Sequence, residues 1–342
     1  MGIRSSTATL WRPYIHSSSH RRRASLLSVN TATTGFSGHV DIEAFRRDAL
    51  IPKEPLVFRR QQDSPAARLP ALSKWFVGRS ALNASSPLHP FAPFLINEFQ
   101  DWCFPYELIK TSKALDAILA FQKSLMASED VLNQFLAEIL QTVVAENTDQ
   151  TFFQIHAPLR LLVKAIEFNS CRDRATSPPL QLYIAQSALT DLPQPLQQDL
   201  QVPDLVCKSG KGDVYSSSIW LGTEPTYTPL HRDPNPNLFC QLWSKKVVRL
   251  MPAARGDRLF FEVQVQLQRR RSSRIRTTDM MQGEERKALH DAVWRSETLP
   301  DELCEVELDA GDALFIPDGW WHSVRSTLSD GELNGSVNWW FR

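Results

Sequence analysis

The C-terminal half of the chain consists of short apolar segments separated by turn residues, and this pattern constrains the fold more than any other feature. After residue 150 there are ten such segments, each four to eight residues long. They are residues 151–156, 180–185, 214–221, 238–242, 246–250, 259–265, 303–308, 313–316, 323–326 and 336–341. Many short strands of this kind predict a β-sandwich or a β-barrel. We therefore expect a mainly β fold with additional α-helices.

The region before these segments has a different pattern. Apolar residues recur at helical spacing from Leu115 to Val143, with one interruption at which Ser128 is the candidate N-cap of a second helix. The apolar stripe of the two helices is interpreted as core or as the surface for a partner helix. The chain is thus divided into a mixed, mainly helical N-terminal region at 35–150 and a β-rich domain at 151–342.

The first 34 residues are rich in arginine, serine and threonine and contain no acidic residue. This composition is typical of a mitochondrial transit peptide, and it is equally typical of a disordered basic tail. The five cysteines include no Cys-x-x-Cys pair, which argues against a disulfide framework and a structural zinc site. They indicate a reducing compartment. A mitochondrial, cytoplasmic or nuclear location is therefore expected rather than secretion.

Charge and hydropathy exclude further classes of protein. The formal net charge of +0 gives no global field that would favour nucleic acid or a membrane surface. No uninterrupted apolar run approaches the ~20 residues that a membrane span needs. The most basic segment is an insertion at about 268–297, interpreted as a solvent-facing loop with one helix near 284–294. Contact with nucleic acid is the alternative that its arginines leave open.

Three residues of the β-rich domain have side chains that suit a redox-active divalent iron. His231 and Asp233 are two positions apart, so on an extended segment they point to one face. His322 follows a Gly-Asp turn, an apolar segment and a Trp-Trp pair. Two imidazoles and one carboxylate leave open coordination positions on iron. If the three converge, the chain is an oxygen-using metalloenzyme; the alternative is that each histidine has an ordinary surface or core role.

One lysine of a predicted strand is placed to point inward. On that strand Lys246 shares a face with Val248 and Leu250, whereas Lys245 lies on the opposite face. An ammonium that points inward needs an anionic partner, because burying an unpaired charge is unfavourable. The alternative is that both lysines extend to solvent along their aliphatic stems.

Six segments of the β-rich domain form a pattern that is specific in its order. They are 182–186 (LYIAQ), 218–222 (SIWLG), 228–233 (TPLHRD), 237–250, 311–322 (GDALFIPDGWWH) and 336–340 (SVNWW). In this order they resemble the jumonji-C (cupin-like) oxygenases that use iron(II) and 2-oxoglutarate, most closely the small hydroxylase-type members. The resemblance covers nearly half of the chain, from Tyr183 to Trp340. It implies a double-stranded β-helix (jelly roll, cupin-like) core with a helical N-terminal region.

The resemblance also implies an iron centre and its chemistry. His231, Asp233 and His322 would be the catalytic residues and would hold Fe(II), with 2-oxoglutarate and O2 as co-substrates. Oxidative decarboxylation of 2-oxoglutarate would then be coupled to hydroxylation of a C–H bond. Where the hydroxylated carbon bears nitrogen, the product collapses to a demethylated amine. The sequence departs from the family at Ser244, a position where the family often has glycine.

Five further residues would form the co-substrate site on the same grounds. Lys246 matches the basic residue that pairs with the distal carboxylate of 2-oxoglutarate, and Thr228 matches a hydroxyl donor to the same carboxylate. Tyr183 and Asn237 match further polar contacts in the pocket. Trp220 matches an aromatic wall, although a core tryptophan is an equally good interpretation.

Three functions remain open from the sequence. The first is hydroxylation of a protein side chain. The second is the same chemistry on tRNA or another RNA, or on a methylated lysine or arginine. The third is a non-enzymatic cupin-like module that binds a partner through its helical region, which intact metal ligands argue against. The partner is thus expected to be a protein substrate, with RNA as the alternative, and a homodimer is one of the open oligomeric states.

Overall fold

The computed structural model describes residues 27–32, 40–77, 89–145, 151–268, 283–295 and 302–342, and the statements below refer to these residues. Residues 1–26, which include most of the predicted transit peptide or basic tail, lie outside them. The arginine-rich part of the predicted insertion, at 269–282, also lies outside the described residues.

The described part of the chain contains fourteen strands and ten α-helices, together with short 3-10 and π-helical segments. The strands are β1 (Leu27–Ser28), β2 (Asn30–Thr31), β3 (Leu56–Phe58), β4 (Cys103–Ile109), β5 (Phe152–Pro158), β6 (Tyr183–Ala188), β7 (Val214–Thr223), β8 (Tyr227–Arg232), β9 (Asn237–Trp243), β10 (Lys246–Met251), β11 (Cys304–Leu308), β12 (Ala313–Ile316), β13 (Trp321–Ser326) and β14 (Leu333–Phe341). The helices are α1 (Ile42–Phe45), α2 (Pro70–Lys74), α3 (Pro93–Phe99), α4 (Ser112–Met126), α5 (Val131–Ala145), α6 (Leu159–Cys171), α7 (Gln194–Asp199), α8 (Asp204–Ser209), α9 (Ala253–Gln266) and α10 (Gly283–His290). Among the described helices, none has both the length and the apolar character needed to span a bilayer.

The strands form two sheets that together make a jelly roll. One sheet has the order β1-β11-β10-β13-β8, and the other has the order β2-β3-β12-β9-β14-β7-β6-β4-β5. Four antiparallel strands in each sheet, β8, β10, β11 and β13 against β7, β9, β12 and β14, form the double-stranded β-helix. The predicted fold class, a mainly β protein with this core and additional helices, is therefore confirmed.

The N-terminal region contributes strands to the larger sheet. Strand β3 pairs antiparallel with β12, and β4 pairs with both β5 and β6. Since β6 pairs in turn with β7, a continuous hydrogen-bonded sheet joins residues before and after position 150. The core strands are therefore flanked on both sides by strands that the preceding region completes.

Strand β14 shows how alternation in the sequence produces the layers. Val337, Trp339 and Phe341 belong to the cluster of apolar side chains between the larger sheet and the helices. Ser336 and Asn338 alternate with them and are also buried, on the face toward the smaller sheet. Because successive side chains of a strand point to opposite faces, one segment supplies both the helix-facing core and the polar interior.

The predicted strand at 259–265 is wrong, because this segment lies within helix α9. Gly256, Phe260 and Val263 recur at helical spacing and face the outer side of the smaller sheet. A Cβ atom on Gly256 would overlap the side chain of Trp321, so the absence of a side chain permits this close packing. The β-branched and aromatic composition of the segment resembled a strand, but the helical period and this contact decide its structure.

The two predicted helices with a break between them are confirmed as α4 and α5, but the predicted cap is wrong. The Oδ1 atom of Asp130 accepts a hydrogen bond from the backbone N–H of Leu132 at 2.9 Å, which is the geometry of an N-cap. Ser128 instead accepts a hydrogen bond from the side chain of Asn133 through its Oγ atom. Asp130 is therefore the residue that starts α5.

Candidate active site

The three predicted metal ligands converge between the two sheets. His231 on β8 and His322 on β13 are directly opposite each other across the strand pair, with ring centroids 4.1 Å apart. Asp233 follows β8 immediately, with its Oδ1 atom 3.9 Å from Nε2 of His231 and its Oδ2 atom 3.5 Å from Nε2 of His322. All three residues are buried, and one ligand atom from each lies within 4.8 Å of the other two. The predicted convergence is confirmed.

Backbone carbonyl groups fix the orientation of both imidazoles. Nδ1 of His231 lies 2.8 Å from the carbonyl oxygen of Pro229, and Nδ1 of His322 lies 3.2 Å from that of Trp320. A carbonyl oxygen only accepts hydrogen bonds, so each Nδ1 carries the proton and each Nε2 presents its lone pair on the side of Asp233. The two lone pairs and the Asp233 carboxylate face one another, and a divalent cation between them is the partner that suits three buried acceptors.

A backbone hydrogen bond joins the two segments that carry the ligands. The N–H of Gly319 donates to the carbonyl oxygen of Asp233 at 3.1 Å. Gly319 has a φ of +81°, a left-handed conformation that glycine adopts without steric penalty. The Asp-Gly turn before His322 is therefore attached directly to the turn after β8, which fixes the spacing of the ligands.

The N-terminal region supports this arrangement from outside. Asp312, at the Gly-Asp turn before β12, is buried and accepts hydrogen bonds from the backbone N–H of Arg60 and the guanidinium of Arg59, at 2.8 and 2.7 Å. Gly311 has a φ of +95°, and a Cβ atom there would lie 2.7 Å from Cδ of Arg60. The Gly-Asp motif thus anchors the strand that leads to His322.

Lys246 points into the same interior, as predicted. It is 2% exposed, and its Nζ atom donates to Oγ of Ser336 at 2.8 Å and to the hydroxyl of Tyr183 at 3.4 Å. Burial lowers the pKa of the Lys246 ammonium to about 7, and the charge of Glu224 only partly offsets this effect. Within the described residues, no carboxylate lies at ion-pair distance from Nζ, and the hydrogen-bond partners of this group are the hydroxyls of Ser336 and Tyr183.

Lys245 lies on the opposite face and is half-exposed. Its Nζ atom pairs with the carboxylates of Glu307 and Asp309 at 3.2 and 2.8 Å. The alternative in which both lysines extend to solvent is therefore wrong. Ser244, the departure from the family pattern, has a φ of +58° and donates to the buried carboxylate of Glu224 at 2.8 Å. A left-handed conformation at this position explains why glycine suits it.

The two histidine ligands and Lys246 line one pocket. Its lining residues are Tyr183, Trp220, Thr228, His231, Asn237, Phe239, Lys246, His322, Val324, Asn338 and Trp340. Seven of the eight predicted site residues are among them. The eighth, Asp233, contacts the lining through Asn237, whose Nδ2 atom donates to Oδ2 of Asp233 at 3.0 Å.

Asn338, which lines the pocket, and Ser336, which contacts Lys246, were not predicted from the sequence. The first accepts a hydrogen bond from Nε1 of Trp220 at 2.7 Å, and the second holds the Lys246 ammonium. The signal was present, since both are polar residues that alternate with Val337 and Trp339 along the strand. Gly222 was also missed: a Cβ atom there would overlap the Tyr183 ring, so this glycine permits the position of Tyr183.

The described part of the basic insertion packs behind the site. Helix α10 confirms the predicted helix near 284–294, and a π-helical segment, Asp291–Arg295, extends it. Trp294 packs in the same cluster as Trp321, and its Nε1 atom donates to Oγ of Ser323 at 2.9 Å. None of the described residues of the insertion lines the pocket.

Comparisons with known proteins agree with this geometry. The profile of the cupin-like domain matches residues 85–342. Lysine-specific demethylase JMJ30 of Arabidopsis thaliana is 32% identical over 170 residues, which are 50% of this chain and 36% of the relative. Lysine-specific demethylase 8 of Danio rerio is 30% identical over 163 residues, 46% of this chain and 36% of the relative. Jumonji C domain-containing protein 5 of Drosophila melanogaster is 28% identical over 165 residues, again 46% and 36%. The chain therefore spans about a third of the length of these relatives.

Proposed function

Because the chain belongs to the cupin-like, jumonji-C family, we propose that it is an Fe(II)- and 2-oxoglutarate-dependent oxygenase that acts on a protein side chain. The observation that carries the proposal is the convergence of His231, Asp233 and His322 in one pocket with the buried ammonium of Lys246. When bound, iron and 2-oxoglutarate couple oxidative decarboxylation to insertion of one oxygen atom of O2 into a C–H bond, with succinate and carbon dioxide as co-products.

Three residues would hold the iron in this proposal. The Nε2 atoms of His231 and His322 and the carboxylate of Asp233 form a two-histidine, one-carboxylate set, which leaves positions open for co-substrates. The carbonyl groups of Pro229 and Trp320 keep the imidazoles in the tautomer that binds metal. Burial of all three residues excludes water from the site, which strengthens their interaction with a cation.

The opposite part of the pocket would bind the distal carboxylate of 2-oxoglutarate. The Lys246 ammonium would supply the charge, and the hydroxyls of Tyr183, Ser336 and Thr228 would supply hydrogen bonds. A carboxylate at this position gives the ammonium the partner that the described residues lack. A charge-assisted contact of this kind is about twice as strong as a neutral hydrogen bond.

A methylated lysine is the first substrate to test. Two of the relatives described above are named lysine-specific demethylases. Hydroxylation of an N-methyl carbon gives a carbinolamine, which releases formaldehyde and leaves the amine. The same insertion at a carbon without nitrogen gives a stable alcohol instead, so hydroxylation of an unmethylated side chain is the second hypothesis. The RNA hypothesis rested on arginines at 269–276, which lie outside the described residues.

Turnover by purified protein tests the proposal. With Fe(II), 2-oxoglutarate, ascorbate, O2 and a library of methylated and unmethylated peptides, we expect formation of succinate that depends on one peptide. Formaldehyde release identifies demethylation, whereas a peptide mass increase of one oxygen atom identifies hydroxylation. Asp233→Ala should abolish succinate formation with an unchanged circular dichroism spectrum. Absence of both iron binding and succinate formation in the folded wild-type protein would contradict the proposal.

A further inference from the structure

A chain of three hydrogen bonds leads from Trp220 to the metal-ligand carboxylate. Nε1 of Trp220 donates to Oδ1 of Asn338 at 2.7 Å, Nδ2 of Asn338 donates to Oδ1 of Asn237 at 3.2 Å, and the Asn237 amide donates in turn to Asp233 at 3.0 Å. All four side chains are buried. We infer that Trp220 is a positioning residue that acts through both asparagines to orient the Asp233 carboxylate for the metal. This inference rests on the metal site of the proposed function.

The chemistry of the two ends permits only one direction of this chain. An indole N–H can donate but cannot accept, so Asn338 must present its oxygen to Trp220 and its amino group to Asn237. Asn237 must then present its oxygen to Asn338 and its amino group to Asp233. An ionised carboxylate only accepts hydrogen bonds, so the far end requires the same polarity. Trp220 and Asp233 therefore fix the orientation of the two amides between them from opposite ends.

The three hydrogen-bonding side chains before Asp233 lie on neighbouring strands of the larger sheet. Trp220 lies on β7, Asn338 on β14 and Asn237 on β9, which are neighbours in the larger sheet. In the strand register, Trp220 pairs with Ser336, and Asn237 pairs with Trp340. The chain of hydrogen bonds thus crosses the sheet diagonally on the interior face of the sheet and ends at the turn that carries Asp233.

Loss of the indole N–H would leave the buried Asn338 oxygen without this donor, because phenylalanine offers none. The Asn338 amide would then be held only through its hydrogen bond to Asn237. With one end of the chain of hydrogen bonds unrestrained, the Asn237 amide holds the Asp233 carboxylate less firmly in the orientation that suits the metal. Loss of such outer contacts typically weakens metal binding by about 10–100-fold.

The experiment uses Trp220→Phe, which keeps an aromatic ring and removes the donor. We expect Mn(II) and Co(II) to bind to this variant about tenfold more weakly than to the wild type, with a changed visible absorption spectrum of bound Co(II). The matched control is Trp75→Phe, because Trp75 is also buried and its Nε1 atom donates to Asp199 at 3.0 Å, outside the pocket. The control should bind both metals with wild-type affinity and spectrum.

A double variant tests whether Trp220 acts through Asn338. Asn338→Leu should weaken metal binding by itself, and adding Trp220→Phe should produce no further loss. Independent effects that multiply would overturn the inference, as would wild-type affinity and an unchanged Co(II) spectrum in Trp220→Phe. If Asn338→Leu does not fold, the Trp220→Phe affinity and spectrum still decide. A folded wild-type protein that binds neither metal would instead refute the proposed function itself, and the inference with it.

Discussion

Raising the pH from 7 to 8.5 is expected to weaken the binding of 2-oxoglutarate, because the ammonium of Lys246 loses its proton over this range. Burial lowers the pKa of this group to about 7 in the free pocket. A bound carboxylate stabilises the ammonium and raises its pKa again. Binding above pH 7 must therefore take up a proton, and this requirement becomes more unfavourable as the pH rises.

The magnitude follows from the fraction of protein that has a charged lysine. If only the ammonium form binds the distal carboxylate, the apparent Kd is proportional to one plus the ratio of neutral to charged lysine. With a pKa of about 7, this factor is about 2 at pH 7 and about 33 at pH 8.5. The apparent Kd should rise about 16-fold, with a limiting slope of about tenfold for each further pH unit.

Calorimetric titration of the Mn(II)-loaded protein without oxygen measures this effect. Saturating Mn(II) at every pH keeps the metal site constant, and two buffers of different ionisation enthalpy report the proton uptake directly. The matched ligand is 2-oxobutyrate, which has the same oxo-acid end but no distal carboxylate. Its affinity should not show the slope.

The matched protein control is Lys246→Arg, whose guanidinium stays charged at every pH of the experiment. Any residual 2-oxoglutarate binding by this variant should lose the slope between pH 7 and 8.5. An equal Kd at pH 7 and 8.5 for the wild type, with no proton uptake, would show that the charge of Lys246 does not control 2-oxoglutarate binding. So would an equal slope for 2-oxobutyrate.

Three further substitutions test individual contacts. Lys246→Met should raise the free energy of unfolding, measured in urea at pH 7, by at most about 4 kcal/mol. Burial that lowers the pKa of the lysine to about 7 destabilises the folded protein by about this amount at pH 7. A lower free energy of unfolding in the variant would contradict this. Gly222→Ala should weaken 2-oxoglutarate binding and leave Mn(II) affinity unchanged. The new Cβ overlaps the Tyr183 ring and the carbonyl oxygen of Leu182, and neither residue is a metal ligand. Calorimetry separates the two affinities. Gly256→Ala should lower the thermal stability by about 1–3 kcal/mol despite the higher helix propensity of alanine, because the methyl group overlaps Trp321; a raised Tm would show that the helix shifts freely.

The metal ligands and Lys246 could be predicted from the sequence because their placement is a local property. Alternation along a strand puts His231 and Asp233 on one face, and it puts Lys246 with two apolar residues that must be buried. Only the proximity of His322 to His231 could not be predicted from local alternation. It depends on the fold, which the family resemblance implied.

The residues that escaped prediction depend on contacts between distant segments. Gly222 is important because Tyr183 lies on it, and Asn338 is important because it lies between Trp220 and Asn237. Neither contact can be predicted from the sequence without the order of the strands in the sheet. The strand predicted at 259–265 failed for the same reason, because a helix that packs on a tryptophan can have the composition of a strand.

The pairing of β3 with β12 has a consequence for how the protein can be divided. A fragment that begins at residue 151 would lose the strand beside β12, as well as β4, and would present unpaired backbone groups at two positions of the larger sheet. It would also lose the arginines that satisfy the buried carboxylate of Asp312. Exposed strand edges of this kind promote aggregation. The smallest piece suitable for expression and crystallisation should therefore start before Val40, and heating should melt the helical region and the jelly roll in a single transition.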